Sequence, residues 1–258
     1  MKLSYLLIML VFGTTTSLSA QSCSVTEQNA DYSVDNGSSN TVTLTANIHA
    51  VGDLVAFTAW CYSSCAPVSV TMGGQTALQT SVSGINGSGD PGTGQGFIYY
   101  ILSAASAGSP TITWTVSGSH TGIQTSYIDF SPSSGCTFAH DVDSPLGTGT
   151  GETVNTPSIT PTAGDLLFNF TYSSEHIDSV NSPWSCPIYS GPGETQTCEF
   201  VNTINAAAYI LSAQSGATAN NMTLIHPSDT WQALITSFSM SSGSGGLNPP
   251  SNLQAMPQ

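Results

Sequence analysis

Positive charge is the first thing this chain lacks. It has one Lys or Arg against fifteen Asp and Glu in 258 residues, and the single cation is Lys2. Lys2 lies in a segment with the marks of an export signal. Once that segment is removed, the rest of the chain has a side-chain charge of −15. Nucleic-acid, nucleotide and anionic-lipid recognition all lean on Arg or Lys and become poor readings. A Schiff-base lysine, an arginine clamp and a Lys–Asn crosslink are excluded for the processed chain. Charged residues are only 6% of the sequence, but 39% hydrophobic residues are ample for a packed core, so low charge does not mean disorder here. Long apolar runs, helical apolar periodicity and the Gly-x-Ser-x-Gly elbow of serine hydrolases are missing as well.

The first segment reads as a secretory signal over 1–20, with Lys2 as its positive start, an apolar run over 6–12 and a small polar approach to cleavage after Ala20. The run is too short to span a bilayer, which takes about 20 apolar residues. Gln21 and Ser22 separate Ala20 from Cys23, which argues against a lipoprotein anchor. Export favours oxidised cysteines. Six cysteines permit fifteen pairings, and loop closure favours Cys61 with Cys65 and Cys186 with Cys198, leaving Cys23 for Cys136. Zinc at Cys61 and Cys65 is the rival reading, but no second close Cys or His pair accompanies them.

What the sequence does have is strand and turn. Threonines alternate with Val42, Leu44 and Ala46, and again with Ile112, Trp114 and Val116, giving the two-residue period of a half-buried strand. The expected class is an all-β sandwich, jelly-roll or immunoglobulin-like, stapled by disulfides. An internal repeat organises it. GDLVAFTAW at 52–60 matches GDLLFNFTY at 164–172, YILSA at 100–104 returns unchanged at 209–213, and IDFS at 128–131 answers TSFS at 236–239. The three offsets are 112, 109 and 108 residues, so the order is kept and the loops of the second copy are slightly shorter. The duplicated sandwich is expected over 21–240, with copies at about 40–131 and 152–240. It would be either two tandem sandwiches or one larger sandwich whose pseudo-symmetric halves share two sheets. The near-continuous apolar runs at 54–60 and 166–172 suit strands covered on both faces and favour the larger sandwich.

Residues 241–258 read as a Gly/Ser linker and a Pro-led tail, and the tail resembles the opening strand of a fibronectin type III domain. Across 40–240, the paired GDL strands, the YILSA segment and the WQALITSF ending at 231–238 resemble a loosely defined, uncharacterised class of secreted β-sandwich modules of environmental bacteria. Such modules occur beside fibronectin-type or immunoglobulin-like domains in large surface proteins. The resemblance implies an extracellular address and a sandwich, and it carries over no catalytic residue.

Three groups of residues are candidates for function. Trp60 and Tyr172 occupy equivalent strand ends, Tyr62 follows Trp60, and Trp184 and Tyr189 flank Cys186. Flat rings at strand ends can stack on sugar rings, so these five are the candidate ligand-binding residues, with core packing as the competing reading. Trp114 and Trp231, inside strong strands, are expected in the core. Asp141 and Asp143 would point the same way in an extended strand and could share a structural calcium; Glu175, His176 and Asp178 form a second such cluster. Apart from calcium, no cofactor is expected. The resulting expectation is a secreted, non-catalytic module that binds an extracellular glycan or cell-surface polymer, with neither nucleic-acid binding nor membrane insertion. One alternative is a glycan-acting hydrolase, which needs opposed carboxylates from among Asp90, Asp141, Asp143, Glu152, Glu175 and Glu194. The other is an assembly subunit pairing through its C-terminal strand.

Overall fold

The computed structural model describes residues 22–242 apart from 36, 38, 63–64, 82–84, 88–93, 119–121, 175–176, 192–193 and 198–204. The signal segment, the linker and tail from 243 onward, Glu175, His176 and Cys198 lie outside the described residues, as do the side chains of Tyr62, Asp90 and Glu194. All regular structure among the described residues is antiparallel strand, as the two-residue periodicity predicts. No helix among the described residues is long and apolar enough to cross a membrane.

The strands form four layers. In the first half, an inner sheet runs in the order Val25–Asp35, Gly122–Pro132, Leu54–Tyr62, Gly94–Ile101 and Leu78–Gln79. An outer sheet of Thr41–Thr45, Thr111–Gly118, Cys65–Met72 and Gln75–Thr76 covers one of its faces. In the second half, the inner sheet runs Cys136–Asp143, Thr230–Ser242, Leu166–Ser173 and Asn205–Ile210. Its cover is more broken, made of Thr153–Val154, Met222–Leu224 and Ile177–Val180, with Ser158–Ile159 on Thr218–Ala219. The two inner sheets then pack against each other. Each sheet draws its strands from one half, so the halves do not share sheets as the larger-sandwich reading expected. They share a third core instead.

Period-two alternation explains this arrangement. Along Leu54–Tyr62, Val55, Phe57, Ala59 and Cys61 fill the first half's own core, while Leu54, Ala56 and Trp60 face the second half. Along Leu166–Ser173, where every residue is buried, Leu166, Phe168, Phe170 and Tyr172 face back. A strand in such a place needs apolar residues on both faces, which is why 54–60 and 166–172 read as nearly unbroken apolar runs.

The letter-for-letter repeats also have a local cause. Gly52 and Gly164 sit at φ 99° and 93°, where a side chain would be strained. In each copy the following aspartate closes the turn, with Asp53 Oδ2 accepting from Ala50 N–H at 2.8 Å and Asp165 Oδ2 from Thr162 N–H at 3.0 Å. The last alanine of YILSA then bonds both ways to that turn: Ala104 N–H to Asp53 O and Gly52 N–H to Ala104 O, matched by Ala213 with Asp165 and Gly164. The two motifs recur together because they hold one another.

The duplication extends beyond its sequence match. Val25–Asp35 pairs with Gly122–Pro132 just as Cys136–Asp143 pairs with Thr230–Ser242, and both pairs are bulged at the same place, after Glu27 and after His140. Each copy therefore opens on its own edge strand, near Cys23 and near Cys136, earlier than the boundaries at 40 and 152. Cys23 and Cys136 are bonded to each other, with Cα atoms 5.9 Å apart. Cys61 and Cys65 form a second bridge. Cys186 is disulfide-bonded too, and Cys198, its expected partner, lies outside the described residues. These bridges belong to an oxidising compartment.

Candidate binding surface

Equivalent residues of the two copies meet across an approximate two-fold axis in the central core. Trp60 stacks on Tyr172 with ring centroids 4.4 Å apart and planes 13° from parallel, and each is only 1% exposed. Tyr100 meets Phe238 edge-on while its counterpart Tyr209 meets Phe130. His140 stacks on Tyr100 at 5.1 Å, and Glu27, the equivalent of His140, accepts a hydrogen bond from Tyr209. Burial first and then Glu27 push the Tyr209 hydroxyl above the usual phenol range. Such reciprocal contacts are what a two-fold interface requires.

This geometry corrects the aromatic candidates. Trp60 and Tyr172 present no ring face to a ligand, because each covers the other. Two sheets packed about an axis bring equivalent residues together rather than leaving each at its own strand end to meet a ligand. Trp184 is buried in the second half's core and donates its indole N–H to Ala219 O at 2.9 Å. Tyr189 is also fully buried, edge-on to Tyr32 at 5.9 Å, and burial pushes its hydroxyl well above the ordinary value. Trp114 and Trp231 are core residues, as expected.

The calcium candidates are separated by the bulge. Between His140 and Asp143 the register slips, since they oppose Phe238 and Thr236, so strict alternation fails and Asp141 and Asp143 part company. His140 Nε2 lies 2.9 Å from Asp143 Oδ1, and Ser81 donates its N–H and its hydroxyl to Asp143 Oδ2 at 2.7 and 2.6 Å. Burial raises the Asp143 carboxyl, but the bonds from Ser81 and His140 outweigh it and hold it below its ordinary value. Asp141 is turned instead to Ser237 and Asp165. Asp143 serves as a clasp between the halves, and no cluster of three potential ligands occurs among the described residues.

The surface left for a ligand lies elsewhere, on the solvent side of the first half's outer sheet. Register places Thr41 opposite Thr115 and Thr115 opposite Ser69; the next rank is Thr43, Thr113, Thr71 and Thr76, and a third begins with Thr45 and Thr111. Their partners in the alternation, Val42, Leu44, Val70, Met72, Ile112 and Trp114, are buried beneath. Strand geometry spaces these hydroxyls by about 4.8 Å between strands and about 7 Å along each strand. None of these hydroxyls bonds to another described residue, and these four strands hold no charged residue. The threonines were legible in the sequence as the polar half of the alternation, but their alignment across four strands depends on the pairing. The second half does not reproduce the array: its cover strands are two to four residues long, and Thr223 Oγ1 accepts from Asn181.

No family model and no curated protein matches the chain. Among solved structures it is similar to the one described as the crystal structure of the STIV MCP, at 8% identity and a TM-score of 0.26 over 86% of this chain and 98% of that one. A likeness that low has no bearing on what this chain does.

Proposed function

We propose that the chain is an exported, non-catalytic β-sandwich module that adheres to a neutral extracellular polysaccharide through the threonine face of its first half. The observation that carries this reading is the ranked array of threonine and serine hydroxyls with no bonding partner among the described residues. β-Branched threonines hold few rotamers, so their hydroxyls stay in place with little entropy to lose on binding. An uncharged row of donors and acceptors suits a polymer that offers hydroxyls at regular intervals, and a chain of net charge −14, whose single Lys or Arg is Lys2, repels polyanions. Asymmetry supports the choice of face, since the inner sheets share motifs for framework reasons and the outer sheets differ.

Each hydrogen bond at such a surface contributes about 1 kcal/mol net, so affinity comes from many weak contacts along a polymer. Lysine at both Thr43 and Thr113, in the middle of the array, should reduce retention on microcrystalline cellulose or insoluble chitin about tenfold or more, while the melting temperature stays within a few degrees because both side chains point to solvent. Retention that the double variant leaves unchanged, or a wild-type protein retained by neither polymer, would sink this reading.

A further inference from the structure

The first half also buries a pair of carboxyl groups with no Lys or Arg to balance them. Asp53 and Asp129 are 2% and 0% exposed. Their strands are neighbours, with Asp129 opposite Val55, and the two carboxyls lie within interaction range of each other. His49 N–H donates to Asp129 Oδ2 at 2.7 Å, Ala50 N–H donates to Asp53 Oδ2 at 2.8 Å, and the Asn29 side chain reaches Asp129. Asp129 Oδ1 is buried and receives no donor from a described residue. Two bare carboxylates in contact would repel each other at a site that also strips their water, and one shared proton removes the repulsion and halves the buried charge.

The second half keeps only part of the arrangement. Asp165 is the counterpart of Asp53 and is equally buried. The counterpart of Asp129 is Ser237, yet a second carboxyl is still present, because Asp141 at the bulge reaches Asp165 while Ser237 donates to Asp141 at 3.4 Å. The second acid lies on the adjacent strand and is exposed, so only Asp165 of this pair is buried.

We propose that Asp53 and Asp129 share one proton in the native fold, and that this pair adapts the sandwich to mildly acidic surroundings. Loss of the proton sets two charges against the turn at Gly52 and Asp53, which the YILSA segment holds in place. Burial first, then the neighbouring acid, raises Asp129 to about 7 and raises Asp165 as well. A folded-state value above the unfolded one, roughly 3.9 for Asp, means stability that is complete below that unfolded value and lost as pH rises to about 7.

The titratable groups around the first pair are Glu27 and Asp31 on the edge strand, Tyr127 on the strand of Asp129, and His49. Glu27 is engaged by Tyr209 across the central core. Asp31 is raised by burial and acts in the same direction as Asp129. Tyr127 is raised by burial to about 12 and keeps its proton throughout this window. His49 Nδ1 lies 3.7 Å from Asp53 Oδ2, so its contribution is separated from that of the pair by mutation. Asp143 has the opposite sign, since its lowered carboxyl supports the fold above the unfolded value and stops doing so as pH falls, which closes the window on the acid side.

Urea unfolding of the full chain between about pH 5 and pH 8.5 tests this. The folding equilibrium constant should fall by up to about tenfold per pH unit until about pH 7 and then level off. Asp129→Asn should remove most of that fall, while His49→Gln should leave it in place. Carboxyl carbon NMR of the wild-type protein gives a reading that needs no variant: a buried aspartate should titrate above about pH 6, and Asp53→Asn should lower its midpoint. The proposal is overturned if every aspartate titrates below about pH 5, or if His49→Gln abolishes the pH dependence and Asp129→Asn preserves it.

Discussion

Replacing Trp60 by alanine should cost the fold about 4 kcal/mol, within the range for truncating a buried tryptophan. The side chain is 1% exposed and lies in the core that joins the two halves. The void left behind has rigid walls, since Tyr172 faces it from one sheet and Gly96 lies against the indole in the other. Tyr172→Ala should cost a similar amount. The double variant should lose less than the sum by about 1 kcal/mol, the coupling expected of a stacked aromatic pair. Gly96→Ala reports on the same place from the opposite direction, because a Cβ there would sit 2.5 Å from Phe170 Cε1 and 2.7 Å from Trp60 Cε3; overpacking of this kind costs about 1–3 kcal/mol. Urea denaturation measures all four proteins. Losses under about 1 kcal/mol for Trp60→Ala and Tyr172→Ala would mean that the central core is not a packed interior.

Removing the Cys23–Cys136 bridge by a double serine variant is the second large effect. The cysteines are 113 residues apart, and in the chain-entropy limit closing a loop of that length contributes about 4.7 kcal/mol. The bridge ties the opening strands of the two copies across the two-fold axis, so its loss also releases an edge strand of each inner sheet. The Cys61–Cys65 bridge spans only four residues, and the same argument gives it roughly 2 kcal/mol. Thermal melts of the two double-serine variants should therefore show the larger drop for Cys23 and Cys136. The reverse order would mean that the fold does not depend on being stapled across its halves.

Much of this architecture is legible in the one-dimensional pattern. Alternating threonines marked the half-buried strands Thr41–Thr45 and Thr111–Gly118, and the apolar runs at 54–60 and 166–172 marked strands buried on both faces. Side-chain period and burial are local consequences of strand geometry, so they can be read without knowing what lies opposite. Loop closure among six cysteines likewise led to Cys23 with Cys136 and Cys61 with Cys65. The bulge after His140 was not legible. One residue added to a strand leaves no mark in composition, yet it separates Asp141 from Asp143.

By itself, then, the sequence determined an all-β duplicated chain with two doubly covered strands, cystine staples and no cation within the fold, because these depend on residue type, spacing and count. Tertiary structure alone decided which faces meet. Trp60 and Tyr172 look alike in the sequence whether they sit at two separate mouths or against each other on an axis, since a repeat specifies equivalence but not the symmetry operation that relates its copies. The same limit applies to Thr43, Thr113, Thr71 and Thr76, which become one rank only through strand pairing. It applies again to Asp53 and Asp129, 76 residues apart in the chain, whose shared burial without a cation arises where neighbouring strands bring them together.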